Sequence, residues 1–290
     1  MIFSTLSKAS LVVILASSLL VLTKEAESHS WAACMDWRFK DSKTKGVKGD
    51  WADKNGRCEG YARNFPVGEK GDENFYGLDS NSPHRHFEQK NKNPEEQPAC
   101  SNGKNGKRDD TFDESLKIPY EKAYEGKSRK GFKFGPMSVK KAGERICIRW
   151  PAKNHAVGSE NKESPVYIAI SGLNPKKDPS QREFSSQPNG KKKMKQGEVL
   201  EYKGKTQRIA ALDYDNCDKG PSDERRCGGC FNLPKNLEVG YYAVQWRWEL
   251  NENEWYTSCA DIKITGGSGS STSPTPIPSP TTTPKKSKKH

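Results

Sequence analysis

The chain has 290 residues, a net charge of +12 and 32% hydrophobic residues, which suits a protein with one sizeable core. Apart from one apolar run near its start, no segment is apolar enough to cross a membrane, which excludes an integral membrane protein with several spans. The positive charge favours anionic partners, although it can equally serve solubility alone.

A secretory signal is predicted at the start of the chain. A positive charge precedes an apolar run at residues 11–22, which is short for a bilayer span, and Ala26 and Ser28 are the small residues expected before a cleavage site. We therefore expect residues 1–28 to be removed, so that His29 becomes the first residue of a secreted, extracellular protein. An uncleaved membrane anchor is the alternative.

The cysteines also point to an oxidising compartment. There are eight, all beyond the signal: Cys34, Cys58, Cys100, Cys147, Cys217, Cys227, Cys230 and Cys259. An even count in a secreted chain predicts up to four disulfides, but spacing does not reveal their pairing. The Cys227-Gly-Gly-Cys230 stretch resembles a redox or zinc motif, and in this compartment a structural role is favoured.

The remaining pattern is typical of strands. Residues 40–130 are rich in Gly, Asn, Lys and Asp and are expected to form long loops pinned by cysteines. Period-two alternation predicts half-buried strands at 145–150 and 241–250, with inward residues Ile146, Ile148 and Trp150 in the first and Tyr242, Val244, Trp246, Trp248 and Leu250 in the second. Shorter strand candidates are 166–170, 199–202, 208–212 and 260–264.

No convincing run shows a helical period. The predicted fold is therefore all-β, an antiparallel immunoglobulin-like or fibronectin-like β-sandwich with long disulfide-pinned loops. One domain is expected over residues 29–266. Residues 267–290 are rich in Ser, Thr and Pro and end in Lys, so we expect a disordered tail there.

Histidines are the candidate catalytic residues, and the sequence has five: His29, His84, His86, His155 and His290. It has neither a Gly-x-Ser-x-Gly elbow nor a His-Glu-x-x-His zinc helix. A glycosidase with two carboxylates stays open, because the geometry of the many Asp and Glu residues is invisible in the sequence.

A histidine at a new N-terminus has unusual metal chemistry. Its α-amino group, with a pKa near ~7.7–8.0, and its Nδ1 can close a chelate ring on one metal ion. One further imidazole would complete three nitrogens in a plane, an arrangement that favours Cu(II). The alternative is that His29 merely marks the cleavage site.

Several stretches resemble lytic polysaccharide monooxygenases. Residues 240–264, GYYAVQWRWELNENEWYTSCADIKI, are similar to the last core strands of those enzymes, and RICIRWPAKNHA at 145–156 is similar to the stretch that presents their second copper ligand. The opening His29-Ser30-Trp31 and the later CEGYAR at 58–63 resemble the oomycete type, auxiliary activity family 17. Residues 40–135 show no clear match beyond that motif.

The resemblance implies a set of roles. One copper ion per chain would be held by the amino group and Nδ1 of His29 and by His155, with Tyr256 in the axial position. His84 or His86 is the rival ligand. Glu254 lies two residues before Tyr256 and would share its face of an extended segment, where related enzymes hydrogen-bond the bound oxygen species. Gln245 and Arg247 are weaker candidates.

The implied activity is oxidative cleavage of glycosidic bonds in a polysaccharide, using an external electron donor. The basic charge and the oomycete likeness favour pectin, specifically homogalacturonan of the plant cell wall, while cellulose and chitin remain open. We expect a monomer that binds neither nucleic acid nor membrane. Trp31, Trp37, Tyr61 or Phe65 could stack on sugars. The alternatives are a non-catalytic secreted copper-binding protein and a metal-free basic carbohydrate-binding or effector protein.

Overall fold

Short apolar runs separated by turn residues become strands in the computed structural model. It describes residues 30–53, 55–67, 87–90, 93–97, 99–100, 120–127, 133–152, 164–187, 193–220 and 225–267. The strands within those residues are β1 (Asp36–Arg38), β2 (Arg57–Gly60), β3 (Pro66–Val67), β4 (Phe87–Lys90), β5 (Lys133–Phe134), β6 (Ser138–Ala142), β7 (Arg145–Pro151), β8 (Val166–Ile170), β9 (Gln207–Leu212), β10 (Arg226–Asn232), β11 (Gly240–Asn251) and β12 (Glu254–Gly267). The helical segments are α1 (Gln181–Phe184) and 3-10 turns at Pro94–Glu96 and Tyr120–Tyr124.

The larger sheet has the strand order β4-β12-β11-β8-β9, with β6 beside β12. All its pairs are antiparallel except β6 with β12, which run parallel. β11 and β12 form a long hairpin that pairs Gly240 with Ile264 at one end and Trp248 with Tyr256 near the turn. Asn253 in that turn has a φ of 61°, a left-handed conformation that Asn tolerates well.

β7 and β10 pair antiparallel to form a smaller sheet that faces the larger one. The main core lies between the two sheets, and it buries the inward residues of β7 against those of β8, β11 and β12: Ile146, Ile148, Trp150, Val166, Ile168, Ile170, Tyr242, Val244, Trp246, Trp248, Tyr256, Ala260, Ile262 and Ile264. Period-two alternation therefore predicted the inner faces of β7 and β11 correctly, apart from Leu250, whose side chain lies outside the described residues. The fold is the all-β, immunoglobulin-like sandwich that the sequence predicted.

All eight cysteines form disulfides, which confirms the expected cross-linking. The pairs are Cys34–Cys58, Cys100–Cys259, Cys147–Cys230 and Cys217–Cys227. Because Cys227 and Cys230 belong to different bonds, the Cys-Gly-Gly-Cys stretch is structural, as favoured above. Cys100 reaches β12 across 159 residues of sequence and holds its loop against the larger sheet.

The outer face of the larger sheet is buried, which corrects the expectation that β11 is half-buried. Gln245 and Arg247 are almost fully shielded from solvent. The segment around Cys100 and the helix α1 lie over them, and Phe184 of α1 packs with the Cys100–Cys259 pair. α1 starts at a capping box in which Ser180 and Glu183 bond each other's backbone N–H groups.

The predicted strand at 199–202 is wrong. Val199 makes only an isolated bridge with Ala210, and the Leu200 N–H donates to the carbonyl of Ile209 at 2.8 Å. The segment is a loop docked on the edge of β9. Within the part of the chain that is described, no helix has the length and apolar character that a membrane crossing requires.

Candidate metal centre

Of the predicted copper ligands, only Tyr256 belongs to the described residues. His29 and His155 lie outside the described residues, as do the rival ligands His84 and His86. Tyr256 and Glu254 are described. The described residues themselves contain no group of three or more His, Cys, Asp and Glu side chains placed to hold a metal ion. The segments that lead to the predicted ligands are described.

Tyr256 lies on the inner face of β12, directly opposite Trp248 of β11. Its side chain is only 1% exposed and belongs to the main core. Since side chains alternate along a strand, Glu254 and Ser258 lie on the same face as Tyr256. Glu254 is the first residue of β12, next to the hairpin turn, and it is partly exposed. This face of the strand is therefore buried at Tyr256 and reaches solvent at Glu254.

The segment that follows His29 is fixed beside β7. Ser30 is completely buried, and its hydroxyl donates to the carbonyl of Pro151 at 2.7 Å. Three residues on, the Ala33 N–H donates to the carbonyl of Arg149 at 2.9 Å. Moving Ser30 would break this buried hydrogen bond and leave its hydroxyl and the Pro151 carbonyl without partners, which is energetically costly. The chain is therefore anchored from its first described residue.

The same segment also contacts β12. The Ala32 N–H donates to the Ser258 hydroxyl at 3.1 Å, and both residues are buried. Ser258 is two residues beyond Tyr256, on the same face of the strand. The disulfide between Cys34 and Cys58 ties the far end of the segment to β2. The start of the described chain thus sits between β7 and the Tyr256 end of β12.

β7 ends at this same end of the sandwich. Ala152 follows it, is fully buried, and its N–H donates to the carbonyl of Arg225 at 3.0 Å. The chain is described again from Ser164, and β8 begins at Val166, which pairs with Trp248. Residues 153–163, which include His155, therefore lie in sequence between the end of β7 and the start of β8, and the start of β8 pairs with Trp248.

Three positions next to predicted site residues therefore meet at one end of the sandwich. Ser30 adjoins His29, Ala152 is three residues before His155, and Ser258 follows Tyr256 on its strand face. Sequence reasoning missed Ser30 and Ser258, because their contacts join residues 121 and 226 positions apart. The only local signal was the period-two spacing that puts Ser258 on the face of Tyr256.

The two weaker candidates lie elsewhere. Gln245 bonds the carbonyl of Ala99 at 2.7 Å on the outer face of the sheet, and Arg247 pairs with Glu95 at 2.8 Å on that face. Burial lowers the pKa of Arg247 to about 10 against the opposing charge of Glu95. Both side chains are separated from Tyr256 by the sheet, and they hold the covering loops in place.

The four aromatic residues considered for sugar stacking are buried: Trp31, Trp37, Tyr61 and Phe65. Trp31 packs with Tyr61 and Phe65 in one small cluster, and Trp37 packs with Phe39 and Trp51 in another. They stabilise the loops that carry β1 and β2. Among the described residues, the exposed large hydrophobic side chains are valines.

Comparison with known proteins found structural matches at low sequence identity. No protein-family model and no curated protein matches the sequence. An AA10 lytic polysaccharide monooxygenase from Streptomyces lividans aligns at 12% identity with a TM-score of 0.28, over 49% of this chain and 66% of that enzyme. CvAA9A aligns at 12% identity and a TM-score of 0.28, over 54% and 68%. LPMO10B from Micromonospora aurantiaca aligns at 9% identity and a TM-score of 0.25, over 45% and 55%. The chain thus spans less than two thirds of the first and third of these structures.

Proposed function

We propose that this protein is a secreted copper-dependent lytic polysaccharide monooxygenase, of the oomycete type that its motifs resemble. His29, exposed by cleavage after Ser28, and His155 would hold one copper ion, with Tyr256 in the axial position. The observation that carries the proposal is the meeting of the Ser30, Ala152 and Tyr256 segments at one end of the sandwich.

The residues around the centre suit a nitrogen chelate. A pincer made by an amino group and an imidazole requires that the first residue be held still, and the buried Ser30–Pro151 bond anchors the adjoining residue. The Tyr256 ring is buried in the main core, so it would be held in place beside a bound ion. The described residues therefore fit a copper site, and the nitrogen donors themselves remain proposed.

Each side chain would have a distinct task. The α-amine and Nδ1 of His29 must both be unprotonated to bind, so binding should weaken as pH falls below the amine's ordinary pKa of ~7.7–8.0. Tyr256 would exclude water from one side of the metal. Glu254, partly exposed on the same strand face, would accept a hydrogen bond or hold a proton next to the sugar. When bound, copper supplies the one-electron chemistry that turns dioxygen or peroxide into an oxidant for a sugar C–H bond.

We extend the proposal to homogalacturonan as substrate. The net charge of +12 favours an anionic polymer over neutral cellulose or chitin, and the motif resemblance points the same way. Glu254 is partly exposed, so the proposed site would open to solvent at the end of the sandwich, which suits a polymer chain that cannot enter a deep pocket.

The test uses the secreted, processed chain. Mass spectrometry should find His29 as its first residue. Copper-loaded protein with ascorbate and peroxide should then release oxidised oligosaccharides from polygalacturonate, with cellulose and chitin assayed in parallel. His155→Ala should abolish the products, and the matched double variant His84→Ala/His86→Ala should keep them. Equal product from His155→Ala, or a different first residue, would overturn the assignment.

A non-catalytic copper-binding protein is the second candidate. The burial of Trp31, Trp37, Tyr61 and Phe65 favours it, because it removes four residues that could have held a sugar. One copper ion bound per chain, with no oxidised product from any of the three polymers, would establish this alternative. Polymer binding by a chain that takes up no copper would instead support the metal-free carbohydrate-binding protein.

A further inference from the structure

The end of the sandwich away from the β11–β12 turn is formed by four connections, and we call it the distal end: residues 141–144, 171–180, 201–206 and 233–239. β11 starts here at Gly240 and reaches Trp248 at the candidate metal centre eight residues later. At a rise of about 3.3 Å per residue, the distal end lies roughly 26 Å from the Trp248–Tyr256 pair. Two ligands could therefore occupy the two ends independently.

Direct hydrogen bonds join these connections into one surface. The Gly172 N–H donates to the Thr206 hydroxyl at 3.3 Å. The Asn236 amide donates to the carbonyl of Tyr202 at 2.7 Å. The Gly143 N–H donates to the carbonyl of Pro234 at 3.3 Å. Charges carried by the four loops thus have fixed relative positions.

The exposed charge of this surface is mostly positive. It has two exposed glutamates, Glu201 and Glu238. Its exposed lysines are Lys141, Lys176, Lys177, Lys203, Lys205 and Lys235. Of these, Lys203 pairs with Glu201. The other two carboxylates of these loops form ion pairs with buried basic side chains. Asp178 accepts two hydrogen bonds from buried Arg63, and Glu144 pairs with buried Lys140 at 3.4 Å.

The candidate metal centre is flanked by a more balanced set of described charges. Lys48 pairs with Asp215 at 2.8 Å near that end, and Asp213, Lys219 and Glu252 are also exposed there. At the distal end, by contrast, Gly267 pairs with Ala142 of β6, so the lysine-ending residues 268–290 continue the chain from the basic surface. Among the described residues, the net positive charge is therefore greater at the distal end than at the candidate metal centre.

We propose that the distal end is a second binding surface, for a carboxylated polysaccharide, that works whether or not a metal is bound. Each exposed lysine–carboxylate pair contributes little, but a polymer that repeats its carboxylates engages several lysines at once. All six cations are lysines, which act as point charges, whereas arginine is the usual residue for bidentate phosphate recognition. The described exposed hydrophobic residue of these loops is Val239, so no described aromatic ring is exposed there to stack on bases or enter a bilayer. The disulfides fit an oxidising compartment, where acidic glycans occur.

The test measures binding of the whole metal-free chain to polygalacturonate across a salt series. Lys176→Gln/Lys177→Gln/Lys205→Gln/Lys235→Gln removes four charges from the surface. The matched control Lys40→Gln/Lys43→Gln/Lys195→Gln/Lys219→Gln removes four exposed lysines elsewhere. If each of the four contacts contributes a factor of about two, the distal variant should bind about 16-fold more weakly. The control should change binding by less than about threefold, and fully methyl-esterified polymer should bind neither variant nor wild type.

Unchanged binding by the distal variant, or an equal loss in the control, would overturn the proposal. Removing residues 268–290 should leave binding that is still sensitive to the distal substitutions, and complete loss on truncation would assign the contact to the tail. Equal affinity at matched salt for single-stranded DNA or for phosphatidylserine vesicles would overturn the choice of polymer. Copper titration of the same variants should match wild type, which separates this surface from the proposed metal centre.

Discussion

Replacing Arg63 by methionine should produce the largest loss of stability among single charge removals in the described core. The buried guanidinium donates four hydrogen bonds, to Asp261 at 2.8 and 2.5 Å and to Asp178 at 2.5 and 2.8 Å. The Tyr124 hydroxyl donates to the Asp261 carboxylate at 3.2 Å and accepts a hydrogen bond from the Asp261 backbone N–H at 2.6 Å. Removing this guanidinium leaves two buried carboxylates without the cation that they share, which costs about 3–5 kcal/mol.

The sign of the pH dependence follows from Asp261. Burial raises its pKa from the ordinary value of 3.8, and the attraction of Arg63 opposes that rise. Above 3.8 the folded protein thus binds more protons than the unfolded chain, so this group's contribution to stability falls as pH rises. Without Arg63 the pKa should rise further, and the destabilisation should be larger at pH 7 than at pH 4.5.

Thermal denaturation at the two pH values measures both effects. A loss of 3–5 kcal/mol corresponds to a fall in Tm of about 6–20 °C for a domain of this size. Arg57→Met is the matched control, since its side chain is 74% exposed and pairs with Glu59 at the surface. That variant should lose less than about 1 kcal/mol. A loss below about 1 kcal/mol for Arg63→Met, or one equal at both pH values, would refute the reasoning.

Three other perturbations separate packing, cross-linking and the candidate centre. Gly135→Ala would place a Cβ 2.2 Å from the Tyr61 ring, so it should lower the free energy of unfolding in urea by about 1–3 kcal/mol. The Cβ of Gly172→Ala would have nothing within 4 Å, so that variant should lose under about 1 kcal/mol. Cys100→Ala/Cys259→Ala should cost about 2–5 kcal/mol, and an unchanged midpoint would show that this disulfide does not hold the outer loop. Glu254→Gln should slow release of oxidised oligosaccharides about tenfold or more at unchanged copper affinity, while Glu252→Gln on the exposed turn should not.

The positions of strands were predictable from the sequence where the local pattern of apolar residues was sufficient. β7 and β11 alternate apolar and polar residues, and β8 is a short continuous apolar run, so local pattern was sufficient. The segment 199–202 has similar residues but lies outside the sheet apart from one bridge, because Leu200 docks on Ile209 instead of continuing a ladder. α1 was missed because four residues cannot show a helical period, although its Ser180–Glu183 capping box is visible in the sequence.

Burial on the outer face of the sheet was not predictable from β11 alone. Gln245 and Arg247 look like a solvated face in the sequence, and they are covered by segments that the Cys100–Cys259 disulfide brings from far along the chain. The candidate centre shows the same limit. Motifs identified Tyr256 and Glu254, whereas the contacts of Ser30 and Ser258 depend on tertiary packing. The roles of His29, His155, Tyr256 and Glu254 remain predictions.

Copper titration of the secreted, processed chain tests the central claim most directly. The account predicts one tightly bound Cu(II) per chain, an electron paramagnetic resonance spectrum typical of nitrogen ligands in a plane, and loss of both in His155→Ala but not in His84→Ala/His86→Ala. A processed chain that takes up no Cu(II), or a His155→Ala variant that binds it as wild type does, would contradict the account.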